Sequence, residues 1–151
     1  MTGAVRGRLR VAGVMAALAF VSLLRRLGGT RVVRALGGEP RTAGPGDGGA
    51  LTGPIAPATR SVAGAVGAAA RRLPPTSCLD RALTGAWLLH RRGRPGRVIL
   101  SVPADPASAV THAWLVDGNG RACIGAREAA AYLPVTVFDR RPAGADRGGP
   151  R

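Results

Sequence analysis

The chain predicts an α+β fold, with helices leading and an antiparallel meander following. Three observations predict it. Apolar residues recur at helical spacing through the N-terminal half. Pro74-Pro75 and then Ser77 punctuate the middle and open a helix that begins with a cysteine. Short apolar runs around an Asp117-Gly118-Asn119-Gly120 turn fill the C-terminal half. Together they place N-terminal helices beside a cysteine-bearing helix packed on a small antiparallel sheet.

The elements follow in order. Residues 1–36 read as an N-terminal helical segment, with Val11, Val14, Met15, Leu18, Val21 and Leu24 on one spacing and a break at Gly28-Gly29. Residues 37–57 are a linker or loop, because Gly-Pro punctuation leaves no periodic apolar face. Residues 58–141 form the core. Within it, Val62, Ala65, Val66, Ala69 and Ala70 mark a helix that Pro74-Pro75 ends. Thr76 or Ser77 caps the next helix, which runs from Cys78 to Arg92 with Asp80 in its first turn and basic residues in its last, as the helix dipole prefers. Strands are expected over residues 97–102, 110–116, 121–124 and 135–138, with a short helix over residues 126–132. In a two-residue hairpin Asp117 pairs with Gly120, which sets His112 opposite Gly125. Residues 142–151 form a Gly/Pro/Arg-rich disordered tail.

Composition narrows the function classes. Hydrophobic residues make up 46% and aromatics 3%, so the core is built from Ala, Val and Leu. The net charge is +14 and every basic residue is Arg. No aromatics interleave with the scattered arginines as a base-stacking platform needs, so no nucleic-acid partner is expected. The apolar run at residues 11–24 falls short of the roughly 20 residues a bilayer span needs, and no cleavage site follows it. A buried helix is the first explanation of this run and a peripheral membrane contact the second. A cytoplasmic chain without a transmembrane span is expected, with Cys78 and Cys123 as reduced thiols.

Cys78 and His112 are the candidate nucleophile and base. Unpaired N–H groups at a helix start favour a thiolate. A histidine on a following strand can take the thiol proton and return it to a leaving amine. His90 lies twelve residues along the cysteine's own helix, about 18 Å away at ~1.5 Å per residue, and so cannot serve Cys78. Asp117 points away from His112 and is a turn residue. Glu128 is the nearest acid beyond Gly125; it is either the third member of the site or a solvated residue in the first turn of a short helix. The Cys78 backbone N–H is the best oxyanion donor. No ligand spacing organises a metal site, and no glycine-rich stretch matches a phosphate loop, so no cofactor is expected.

Arg72-Leu73-Pro74, Ser77-Cys78-Leu79, Arg81-Ala82-Leu83, Leu88-Leu89, Arg92-Gly93, Pro95, Asp105-Pro106 and His112-Ala113-Trp114 resemble the lasso peptide biosynthesis B2 protein over residues 71–134. That family comprises transglutaminase-like leader peptidases. The resemblance implies a papain/transglutaminase-like core and a cysteine protease that removes the leader from a ribosomally made lasso precursor. Cys78 and His112 carry over as nucleophile and base. The family's acid, about a dozen residues after the histidine, does not, since Ile124 and Gly125 stand there. Glu128, a backbone carbonyl or water is left to orient the imidazole. A catalytically degenerate relative that binds the precursor without turnover is the alternative. The implied partners are the precursor peptide, a separate leader-recognition protein and an ATP-dependent macrolactam synthetase.

Overall fold

The computed structural model describes residues 2–73 and 75–140; the tail expected over residues 142–151 lies outside them. Helix α1 (Thr2–Gly37) kinks at Gly29, whose φ of 50° and ψ of −127° suit a residue without a Cβ. The break expected at Gly28-Gly29 is this kink. Val14, Leu18 and Val21 before it and Val33 after it are buried. Helix α2 (Pro57–Ala70) opens on a proline in its first turn, where no N–H is needed, and buries Val62, Val66 and Ala69. Helix α3 (Cys78–His90) buries Ala82, Leu83, Ala86 and Leu89.

Five antiparallel strands are described: β1 (Glu39–Thr42), β2 (Gly96–Pro103), β3 (His112–Asp117), β4 (Ala122–Ile124) and β5 (Tyr132–Asp139), in sheet order β1-β5-β2-β3-β4. The strand period of two divides the side chains between two layers. Val98, Leu115, Ile124 and Phe138 meet the three helices in the main core. Ile99, Trp114, Val116 and Val137 face the other way, into a smaller cluster. Residues 14, 18, 21 and 33 of α1 share the main core with α2 and α3, so the N-terminal helical segment is a layer of the same body. Gly85 lets α3 lie close against the sheet; an added Cβ would stand 2.4 Å from Ile124 Cδ1 and 2.9 Å from Leu115 Cδ2.

The short helix expected over residues 126–132 is reduced to a 3-10 turn, Ala129–Ala131, and Tyr132 begins β5. Three further departures concern longer segments. Within residues 37–57, β1 pairs with β5 at the sheet edge, the position where Pro40 is tolerated. Polar bonds rather than an apolar face hold this segment. Asp47 accepts from Arg41 Nη2 at 2.8 Å, Arg97 Nη1 at 3.1 Å and the Gly44 N–H at 2.7 Å. The Arg41 hydrogen bond, followed by that of Gly44, holds the Asp47 carboxyl well below the usual carboxylate range. Trp114 Nε1 donates to the Gly48 carbonyl at 2.9 Å, tying the segment over the smaller cluster.

The second departure is the hairpin register. Gly120 takes φ 75°, and Asp117 N–H donates to the Arg121 carbonyl. This is the longer loop with a left-handed glycine. Val116 therefore pairs with Ala122, and after a further shift Leu115 pairs with Ile124. The two-residue hairpin that sets His112 opposite Gly125 is not formed. Asp117 remains a turn residue, its Oδ1 accepting from the Asn119 and Arg121 N–H groups at 3.0 Å each.

The third concerns the first apolar run. The helix runs past residue 24 as the sequence reading expects, but residues 11–37, rather than 11–24, are the apolar stretch, long enough to cross a membrane by length and composition. One side of that helix is committed to the protein core through Leu18 and Val21.

Candidate active site

Cys78 is the first residue of α3, and a reciprocal cap fixes it there. Ser77 Oγ accepts from the Asp80 N–H at 3.1 Å, and Asp80 Oδ2 accepts from the Ser77 N–H at 3.1 Å. This cap employs the amides on either side of the Cys78-Leu79 pair. It leaves their N–H groups as orphans of a helix start. Asp80 is only 1% exposed and is ion-paired with Arg25 of α1. Burial pushes the Asp80 carboxyl up, but hydrogen bonds from Arg25 and Ser77 outweigh it and hold the carboxyl below its ordinary value. Arg25 is kept protonated chiefly by the Asp80 hydrogen bond, against the cost of burial; the charge of Cys78 adds a lesser contribution. An α1 guanidinium thus lies within electrostatic reach of the thiol.

His112 is the first residue of β3. Its ring packs 5.0 Å from Tyr132 and 5.9 Å from Trp114, centroid to centroid. Nε2 lies 2.9 Å from the Gly125 carbonyl oxygen. A carbonyl only accepts, so Nε2 carries the proton and Nδ1 keeps its lone pair as the basic atom. Gly125 has φ 74°, and an added Cβ would stand 2.9 Å from the Ala113 carbonyl oxygen and 3.4 Å from His112 Nε2. The left-handed turn and the close approach both require glycine. Glu128 Oε2 is 3.9 Å from Nε2, and its side chain is 60% exposed against 12% for His112. That separation is an ion-pair distance rather than a hydrogen bond.

Cys78 and His112 line one cleft of about 400 Å³. Val66 and Gly67 of α2 form one wall and Ile124 and Gly125 another, with Arg81 and Glu128 among the lining residues. The fold brings the thiol and imidazole to this shared space without a hydrogen bond between them. Catalytic hydrogen bonds often tighten only when substrate is bound. Cys123 lines the same cleft, yet its environment is opposite: Sγ donates to the Leu115 carbonyl at 3.5 Å. Burial first, then the negative charge of Asp117, pushes this thiol up to about 12. His90 is the last residue of α3, at the far end from Cys78. Among the described residues no three His, Cys, Asp or Glu side chains gather as a metal site.

A family model described as the transglutaminase-like superfamily matches residues 14–137. The chain belongs to the transglutaminase-like superfamily. No curated protein and no solved structure matches it. The match reaches back to residue 14, so it takes in most of α1 as well as the cysteine helix and sheet. Membership at the superfamily level supports cysteine-peptidase-type chemistry for this domain. Two parts of the candidate site are not legible in the sequence. The Gly125 carbonyl is a backbone acceptor and has no side-chain signature. The Arg25–Asp80 pair joins residues too distant in sequence for a local pattern; the sequence marks Asp80 only as a first-turn acid suited to the helix dipole.

Proposed function

We propose that this transglutaminase-like protein is a cysteine peptidase that removes the leader from a lasso peptide precursor before macrolactam formation. The observation that carries the reading is the shared cleft, with Cys78 at a capped helix start and His112 held by the Gly125 carbonyl so that Nδ1 is basic. Cys78 Sγ, having passed its proton to His112, attacks the scissile carbonyl to form a tetrahedral oxyanion. The Cys78 N–H, at the helix start, is the candidate donor to that oxyanion. His112 protonates the leaving amine, which departs as the N-terminus of the core peptide, and the leader remains as a thioester on Cys78. Water, deprotonated by the imidazole, releases the leader as a carboxylate and restores the thiol.

The lasso assignment draws its support from the resemblance over residues 71–134, whose Ser77-Cys78 and His112-Ala113-Trp114 motifs contribute residues to this site. On this reading the precursor is presented by a separate leader-recognition protein. An ATP-dependent macrolactam synthetase uses the freed amine, and the three proteins work in the cytoplasm. Glu128 lies close enough to support the imidazolium electrostatically. A second reading, a degenerate relative that binds the precursor without turnover, is favoured by the carbonyl standing where a carboxylate is usual.

Cleavage of the precursor in heavy-oxygen water, with the leader-recognition partner present, tests the proposal. One heavy oxygen in the new carboxylate of the leader, dependent on Cys78, is expected. An intact precursor bound to the protein supports the second reading. A leader joined to an amine instead of water contradicts hydrolysis.

A further inference from the structure

The exposed face of α1 is apolar over residues 12–23, and Arg26, Thr30 and Arg31 are exposed after it. Ala12, Ala16, Ala19, Phe20, Leu23 and Leu27 are all exposed there. Phe20 is 57% exposed, Leu23 54% and Leu27 77%. Residues 16, 20, 23 and 27 follow helical spacing, so they form one continuous stripe. A groove of about 210 Å³ extends it sideways, between Ala19 and Leu23 on one side and Leu73 and Pro75 on the other. Arg26 lines this groove, and Arg31 and Arg34 are exposed just beyond the kink.

We infer that this face docks α1 flat on an anionic lipid bilayer. Lipid acyl chains ask for no hydrogen-bonding partner, and residues 12–23 of the exposed stripe provide none. Headgroups of an anionic bilayer complement the arginines that follow the stripe, within a chain of net charge +14. Self-association is the poorer fit, because two copies at +14 repel each other while a negative surface attracts both. Insertion across the bilayer is disfavoured. It would pull Leu18 and Val21, 0% and 1% exposed, out of the core and separate Arg25 from Asp80. The helix therefore lies in the interface, core side on the protein and apolar side on lipid.

Co-sedimentation of the full chain with vesicles tests this, using equal parts phosphatidylglycerol and phosphatidylcholine against phosphatidylcholine alone. The expected result is binding to the anionic vesicles that weakens with salt, and much less to the neutral ones. The triple variant Phe20→Ser, Leu23→Ser, Leu27→Ser should bind at least about tenfold more weakly while keeping its circular dichroism. Phe20→Trp gives an independent reading: its added fluorescence should shift to the blue with anionic vesicles. No binding to anionic vesicles overturns the inference. So does a triple variant that binds as well as the parent, or a Phe20→Trp variant whose added emission does not move. A dimer in light scattering that the triple variant dissolves assigns the face to a second copy and also overturns it.

Discussion

Two cysteines line the same cleft and are built for opposite fates. Cys78 opens α3, between two capping residues, beside helix-start N–H groups and within reach of the Arg25 charge. Cys123 sits on β4, with its Sγ on the Leu115 carbonyl and Asp117 nearby. Burial acts most strongly on the Cys123 thiol, and the charge of Asp117 adds to it. Cys78 stands at a helix start with the Arg25–Asp80 ion pair nearby, whereas Cys123 lies on a strand against the Leu115 carbonyl. Reactivity in this cleft is therefore expected to follow burial and the element on which each cysteine stands.

Selective alkylation should show the contrast most strongly. A thiol pushed up to about 12 holds on the order of 10³ less thiolate at neutral pH than an ordinary one. Iodoacetamide followed by peptide mapping should therefore modify Cys78 in the native protein and leave Cys123 unmodified. Labelling of Cys123 should rise about tenfold per pH unit as long as the fold survives. Equal labelling of both at neutral pH would remove the distinction.

The histidine side of the comparison can be broken at Gly125. Gly125→Ala puts a Cβ into the Ala113 carbonyl and strains φ 74°, so the carbonyl that holds Nε2–H must move. A loss of about 10²-fold in precursor cleavage is expected, near the lower range for a misplaced general base. Glu128→Gln should cost no more than about threefold, because its carboxylate is exposed and beyond hydrogen-bond distance. Rates for both, measured beside the circular dichroism of each variant, decide which group orients the imidazole. A large loss in Glu128→Gln alone would transfer that role to the carboxylate.

A further expected effect is on stability, in the support of the cysteine helix. Asp80→Ala removes the half of the capping box that accepts from the Ser77 N–H, and the partner of Arg25, while the Ser77 Oγ bond to the residue-80 N–H remains. The cost should be about 2 kcal/mol in chemical denaturation, since Arg25 retains some exposure and can turn to water. Asp80 has a lowered folded-state pKa, so its contribution is fully present above the unfolded value of about 4 and is lost as pH falls through the folded value. Asp80→Asn should flatten that part of the acid limb. An unchanged limb would mean that the ionised Asp80 contributes nothing to the stability of the fold around Cys78.

Much of the fold is legible in the sequence because its signals are local. Helical spacing in α1, a Thr or Ser cap before Cys78 and the glycine-rich turn after β3 each depend on a few neighbouring residues. The α+β class follows from their order. Strand β1 was not legible, since Asp47 and edge pairing with β5 hold it and neither leaves a periodic pattern. The hairpin register was lost to one conformational choice, the left-handed Gly120, which turns a two-residue loop into a longer one. At the site, Cys78 and His112 could be singled out by their positions at the start of a helix and on a strand. A backbone carbonyl is one of three groups the sequence leaves open to orient the imidazole, and the folded chain presents that of Gly125 to His112. Backbone acceptors become visible only when the chain is folded.

The most direct test is mass spectrometry of the precursor, incubated with the leader-recognition partner and with the parent protein, Cys78→Ala or Cys123→Ala. The account predicts a leader-sized loss with the parent and with Cys123→Ala, and an intact precursor with Cys78→Ala. Cleavage that survives Cys78→Ala, or that disappears with a folded Cys123→Ala, would contradict it.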